Sequence, residues 1–131
     1  MKKNNLDEQY MFAEFLSPMN FLLQLSATAY KKYLANKIYL HALNIRKSNE
    51  MIYKLVIEKV NFIPGSLQEE CIALLNHYDS WMLQFTEEER NRKPSLKDEF
   101  IFERADEQVG FPRFAESKIF ETYRKASKLK K

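Results

Sequence analysis

A chain of 131 residues with 45% hydrophobic and 14% aromatic residues can bury a core as one domain without disulfides or metal, and is too hydrophobic to be disordered. Two glycines and four prolines are too few turn formers for a many-stranded sheet and enough for a handful of helices. The net charge of +3 falls short of the basic balance of a dedicated nucleic-acid-binding domain, and the lone Cys71 has no partner for an internal disulfide, which fits a reducing compartment.

No uncharged apolar run approaches the roughly 18 residues needed to cross a bilayer. Asp7 and Glu8 follow the N-terminal Met1-Lys2-Lys3 where a signal peptide would place its apolar core. The expectation is a cytoplasmic protein with no membrane partner. Pro18 to Ala29, the most membrane-like piece, is too short and runs straight into Lys31-Lys32.

Leu6 to Leu16 carries Tyr10, Met11, Phe12, Phe15 and Leu16 on a broad apolar face. The spacing predicts a short first helix closed at Ser17-Pro18, because proline disfavours a helical residue before it. Ser17 as cap and Pro18 at the first position then open a second helix. From Met19 the helical pattern meets neither Gly nor Pro until Pro64, about 60 Å of helix at 1.5 Å per residue if unbroken. Asn36 and Asn44 are the candidate breaks. Leu34, Ile38, His41, Ile45, Ser48, Ile52 and Leu55 form a stripe of alternating four and three steps, interrupted by the polar His41 and Ser48.

Pro64-Gly65 marks a turn, and Ser66 with Glu69 reads as a capping box opening the next helix. There Leu67, Cys71, Leu74, Leu75, Tyr78, Trp81, Met82 and Phe85 recur at helical spacing, and the pattern stops between Thr86 and Asn91. Thr86 to Lys93 reads as a solvated linker. Asp98 is placed to cap a short helix through Arg104, while Phe100-Ile101-Phe102 leaves a strand open. After a turn at Gly110-Phe111-Pro112, Phe114, Ile119, Phe120 and Tyr123 predict a last helix and a basic tail. The expected fold is an all-α, single-domain bundle of four to six helices spanning residues 1–131. It is organised around an antiparallel helical hairpin from Ile38 to Phe85, with a less regular C-terminal third and frayed ends at 1–5 and 126–131.

The polar residues most open to a catalytic reading are Arg46, Asn49 and His77. A hairpin ribonuclease would bring an arginine, a polar neighbour and a histidine acting as acid or base onto one phosphate. Arg46-Lys47-Ser48-Asn49-Glu50-Met51 is followed by no histidine, and His77 lies on the other arm, so the spacing favours buried, satisfied polar residues. His77 and Trp81, four apart, could stack a ligand, but Trp81 as a core or interface anchor with His77 at the stripe's edge explains them better. No paired His or Cys has metal-ligand spacing, no serine sits in a nucleophile elbow, and two glycines cannot build a phosphate cradle. No metal and no cofactor are expected.

Charge is polarised along the chain. Tyr30 to Val60 carries seven basic residues against two acidic, and Glu87 to Glu107 five against eight. Lys31, Lys32, Arg46 and Lys47, with tyrosines interleaved, are candidates for contact with phosphate or an acidic partner. The aromatic residues exceed what a core of this size easily buries, which makes Tyr30, Tyr33, Trp81, Phe85, Phe111 and Phe114 candidates for an interface. The sequence thus reads against an enzyme. It reads as a non-catalytic interaction module, an accessory subunit of a larger protein assembly, bacterial by its Lys-, Asn-, Ile- and Phe-rich composition. An assembly that handles nucleic acid or acts in phage defence is one setting for such a subunit, and no residue here selects it. Its partner would be another protein, in a hetero-complex or homo-oligomer, with nucleic acid as a second possibility through the basic helix. The alternative is a small nuclease or nucleic-acid-binding protein using Arg46, Asn49 and His77.

Overall fold

The computed structural model describes residues 5–102 and 112–129. Five α-helices carry the chain: α1 (Asn5–Met11), α2 (Ser17–Ala35), α3 (Tyr39–Glu58), α4 (Gln68–Arg92) and α5 (Arg113–Leu129). Among the described residues there is no strand, only an isolated antiparallel bridge between Ile38 and Glu99. The protein is an all-α bundle in which α2 packs on α3, α3 on α4, α4 on α5 and α5 back on α2.

The expected break at Ser17-Pro18 is absent. Leu16 and Ser17 both keep right-handed helical angles, and a π-helical turn over Phe12–Leu16 joins α1 to α2. Here the Ser17 N–H donates to the Phe12 carbonyl, five residues back. Pro18 lacks an N–H, and in a regular helix its ring would strike the carbonyl four residues earlier. Widening the turn just before it relieves that clash and keeps the helix going. Phe15, Leu16, Met19 and Leu23 all reach the interior as a result.

Of the two candidate breaks, the chain uses Asn36. Its backbone is extended (φ −152°, ψ 100°), as is that of Ile38, while Asn44 stays inside α3. The long helical pattern is therefore two helices folded on each other, and the stripe through Ile45, Ser48 and Ile52 is an internal seam.

Two 3-10 turns, Val60–Phe62 and Gly65–Leu67, connect α3 to α4. The expected Ser66/Glu69 capping box does not form: Ser66 lies within the second turn, and the residue at the cap position of α4 is Leu67, with no side-chain cap bond. Leu67 is fully buried, its N–H bonded to the Pro64 carbonyl at 2.8 Å. Anchoring that side chain outweighs the roughly 1 kcal/mol a cap contributes.

Helix α4 also runs through the stretch expected as a linker. Glu88 pairs with Arg92 at 2.8 Å along the helix, and Glu89 turns inward to α3. The helix ends at Lys93, whose left-handed backbone (φ 47°) sends its N–H to the Glu89 carbonyl. From there the chain is non-helical through Phe102, with a turn at Leu96-Lys97 and a single bridge at Glu99. Over 98–102 neither the short helix expected after Asp98 nor the strand left open at Phe100–Phe102 forms, and Arg104 lies outside the described residues. Asp98 closes a turn by accepting the Ser95 N–H at 2.7 Å. The segment then crosses the α2–α3 corner, where the Asp98 and Leu96 carbonyls accept the Tyr39 and Leu40 N–H groups at 2.9 and 2.8 Å. These are the first donors of α3, which have no partner within their own helix. The Phe100 N–H returns the contact to the Lys37 carbonyl at 2.8 Å.

Packing separates into two interiors. One is largely aliphatic, with Phe15, Met19, Leu23, Ile52, Val56, Leu67, Leu74 and Ile119 at its centre and Ala126 of α5 packed against it. The other holds Tyr33, Ala42, Ile45, Trp81, Phe85 and Phe100, with Tyr39 and Phe102 against them.

Candidate functional site

Arg46, Asn49 and His77 are engaged with different neighbours. Arg46 on α3 donates from Nη1 to Glu89 Oε1 on α4 at 2.6 Å, and its guanidinium lies over the Phe85 ring at 5.3 Å. Asn49 is buried and accepts from Ser26 of α2 at 3.5 Å. His77 is buried on α4, its ring edge-on to Tyr78 at 5.3 Å. An open groove of about 640 Å³ runs between α3 and α4 past Arg46, Glu50, Tyr53, Lys54, Asp79 and Met82, and neither Asn49 nor His77 lines it.

Beside that groove, polar contacts tie α3 to α4. Tyr39 donates its hydroxyl to Glu89, the same carboxylate that holds Arg46. Burial and the adjoining Glu89 push the Tyr39 hydroxyl above the ordinary tyrosine range. Farther along, a hydrogen bond to Asp79 raises Tyr53 in the same way. Every charge with a partner here is matched across two helices or along one, which holds α3 and α4 together.

The buried reactive groups are quiet. Burial pushes the Cys71 thiol up to about 12, so it is not a thiolate near neutral pH. Burial likewise raises the hydroxyl of Tyr78 and the carboxyl of Glu116. Glu70, held below the ordinary carboxylate range by its own backbone N–H and by Lys118 at 3.2 Å, ties α4 to α5. Among the described residues, no group of three His, Cys, Asp or Glu side chains could hold a metal ion, and no helix is long and apolar enough to cross a membrane.

The aromatic candidates divide by burial. Tyr33, Trp81 and Phe85 are interior residues. The Tyr33 hydroxyl donates to the Phe100 carbonyl at 2.7 Å and accepts the Phe102 N–H at 2.9 Å, while Trp81 stacks on Phe85 at 4.8 Å. Tyr30 and Phe114 are exposed, and Phe111 lies outside the described residues.

The basic candidates divide as well. Arg46 is taken by Glu89, whereas Lys31, Lys32 and Lys47 are exposed and make no ion pair among the described residues. Elsewhere Lys54 meets Glu58, Lys59 meets Glu14 and Lys118 meets Glu70. Among the described residues, Arg46, Lys59 and Lys118 are matched across elements, while the outer lysines of the α2/α3 pair are not.

Comparison with protein-family models, curated proteins and solved structures finds no match to this chain. The site must therefore be read from its own chemistry.

The outer side of α2 and α3 is where unmatched charge meets exposed apolar surface. Phe21, Leu25, Thr28 and Lys32 follow on α2 at steps of four, three and four, and Leu40, Asn44, Lys47 and Met51 do the same on α3. Phe21 is 64% exposed and Met51 42%; large apolar side chains are exposed elsewhere too, as at Leu83 and Phe114, but here they stand beside unmatched lysines. Between the helices lies a shallow groove of about 170 Å³ floored by Leu25, Ala29 and Met51 and edged by Lys32 and Lys47. Phe21, Leu25, Leu40 and Met51 were not among the expected contact residues. The signal that could have found them is the run from Phe15 to Asn49, which has no acidic residue while its apolar positions outnumber one helical stripe.

Proposed function

We propose that this chain is a non-catalytic interaction module, an accessory subunit that docks onto another protein through the outer face of α2 and α3. The observation that carries the reading is the coincidence on that face of exposed apolar side chains with lysines that have no carboxylate among the described residues, whereas Arg46, Lys59 and Lys118, which reach across to other elements, each meet one. Exposed apolar surface favours association through the hydrophobic effect, and the unmatched lysines select a partner by charge and speed its approach. The placement of the polar residues supports the same reading. Arg46 is held by Glu89, Asn49 is buried against Ser26 and His77 is buried, so the groups the nuclease reading would use are engaged separately within the fold.

The test is affinity capture of the tagged full chain from its native cell after mild cross-linking. The double variant Phe21→Ser/Met51→Ser is run beside a control at a distant exposed ring, Tyr10→Ser. A stoichiometric partner should be kept by wild type and control and lost by the double variant. Equal capture by all three, or cleavage of RNA or DNA by the purified chain that His77→Ala abolishes without unfolding it, overturns the reading.

A further inference from the structure

Resting on that docking reading, we infer that the groove between α2 and α3 receives an acidic amphipathic helix of the partner protein. Three features of the groove select this occupant. Its lining is mostly apolar, with Leu25 and Ala29 from α2 and Met51 from α3, and beside the exposed Asn44 the hydroxyls of Thr28 and Ser48 are met by the Gln24 and Ile45 carbonyls at 3.0 and 2.9 Å. Its edges are cationic, with Lys32 contributed by α2 and Lys47 by α3, both without a carboxylate among the described residues. Its wall carries no acid, since the first carboxylate on α3 is Glu50, which lines the opposite groove beside Arg46.

A helix with leucine-like residues at steps of three and four fits the floor, and glutamates or aspartates flanking that stripe meet a lysine on each side. The groove spans Leu25 to Lys32 and Asn44 to Met51, about 10 Å at 1.5 Å per residue, so it grips two turns of the incoming helix. A nucleic-acid strand fits less well. Its phosphates would find only Lys32 and Lys47 at the two edges, while the polar strand between them would lie over Leu25 and Met51 and lose water there. The groove also presents no aromatic ring on which a base could stack.

The experiment titrates the uniformly labelled full chain, followed by amide resonances, with three probes: a synthetic amidated helix with leucines at three-and-four spacing flanked by glutamates, the same peptide with lysine for each glutamate, and a uridine homopolymer RNA. The acidic peptide should shift the amides of Leu25, Lys32, Lys47 and Met51 and weaken as salt is raised. The K32E/K47E double variant, whose substitutions are on exposed side chains, should lose about tenfold in affinity for the acidic peptide and accept the lysine peptide instead. No shift on these two helices with the acidic peptide, equal binding of both peptides, or an RNA-induced shift at the same amides in place of the peptide's overturns the inference. If the capture experiment still shows a partner lost with Phe21→Ser/Met51→Ser, the docking face stands and only the chemistry assigned to its occupant is wrong.

Discussion

The aliphatic interior around Phe15, Met19, Leu74 and Ile119 and the aromatic interior around Tyr33, Trp81, Phe85 and Phe100 are held together by different physics. The first is filled by helix stripes from α2, α3, α4 and α5, and its packing is non-directional, so similar volumes can substitute for one another. The second depends on geometry. Phe85 sits 4.8 Å from Trp81 and 5.4 Å from Phe100, Tyr33 bonds two backbone groups of the 100–102 segment, and Arg92 lies over Phe100 at 5.0 Å. A non-helical segment completes this end, and it does so only because its carbonyls supply the acceptors that the start of α3 requires. The comparison teaches that the same helices can be anchored by bulk at one end and by directed contacts at the other.

The largest expected blow to the aromatic end is Phe85→Ala. Removing a fully buried ring should cost about 4 kcal/mol, measured by urea unfolding. Alkylation of Cys71 in the same variant reads the other interior, because that thiol is buried in the aliphatic cluster. Labelling that stays slow as the 96–102 amides exchange faster means the two interiors open separately; labelling that accelerates in step means they are one cooperative unit.

Next in size is Tyr33→Phe, which keeps the ring but leaves the Phe100 carbonyl and Phe102 N–H without their bridge. A loss of about 2 kcal/mol is expected, with faster hydrogen exchange at Phe102, because unmet backbone groups in the interior carry their full desolvation cost. A loss under about 0.5 kcal/mol would mean that ring packing alone holds the segment.

A double-mutant cycle on Arg46→Ala and Glu89→Ala should return a coupling of about 1 kcal/mol, since the pair is partly shielded and shares Tyr39. Added salt should diminish it only modestly. A coupling near zero would remove this contact from the list of directed ties and leave the aromatic stack to hold α3 on α4.

The smallest effect has the opposite sign. Lys93 adopts a left-handed conformation that a side chain disfavours, so Lys93→Gly should stabilise the chain by up to about 1 kcal/mol in the same urea assay. A destabilised variant would show that the lysine makes contacts worth more than the backbone strain it bears.

Much of the aliphatic end was legible in the residues, because a helix repeats every 3.6 residues and Leu67, Cys71, Leu74 and Tyr78 mark one buried face. The aromatic end was not. Phe100 and Phe102 fit no clean period, and Trp81 and Phe85 read equally well as surface anchors until the chain segment that covers them is in place. The candidate site was legible in part. The lysines could be named from the chain, but Arg46 could be separated from Lys47 only once Glu89, far along the sequence, was seen beside it.

What the chain by itself determines is therefore the all-α class, the helical faces and the asymmetry of charge, since these depend on neighbours within one or two turns. Tertiary structure decides the continuation through Pro18, the fold-back at Asn36, the extension of α4 to Arg92 and the identity of the unmatched surface. In each of these a local preference meets a distant partner, and burial, a matched charge or an accepted N–H outweighs the fraction of a kcal/mol that local propensity supplies.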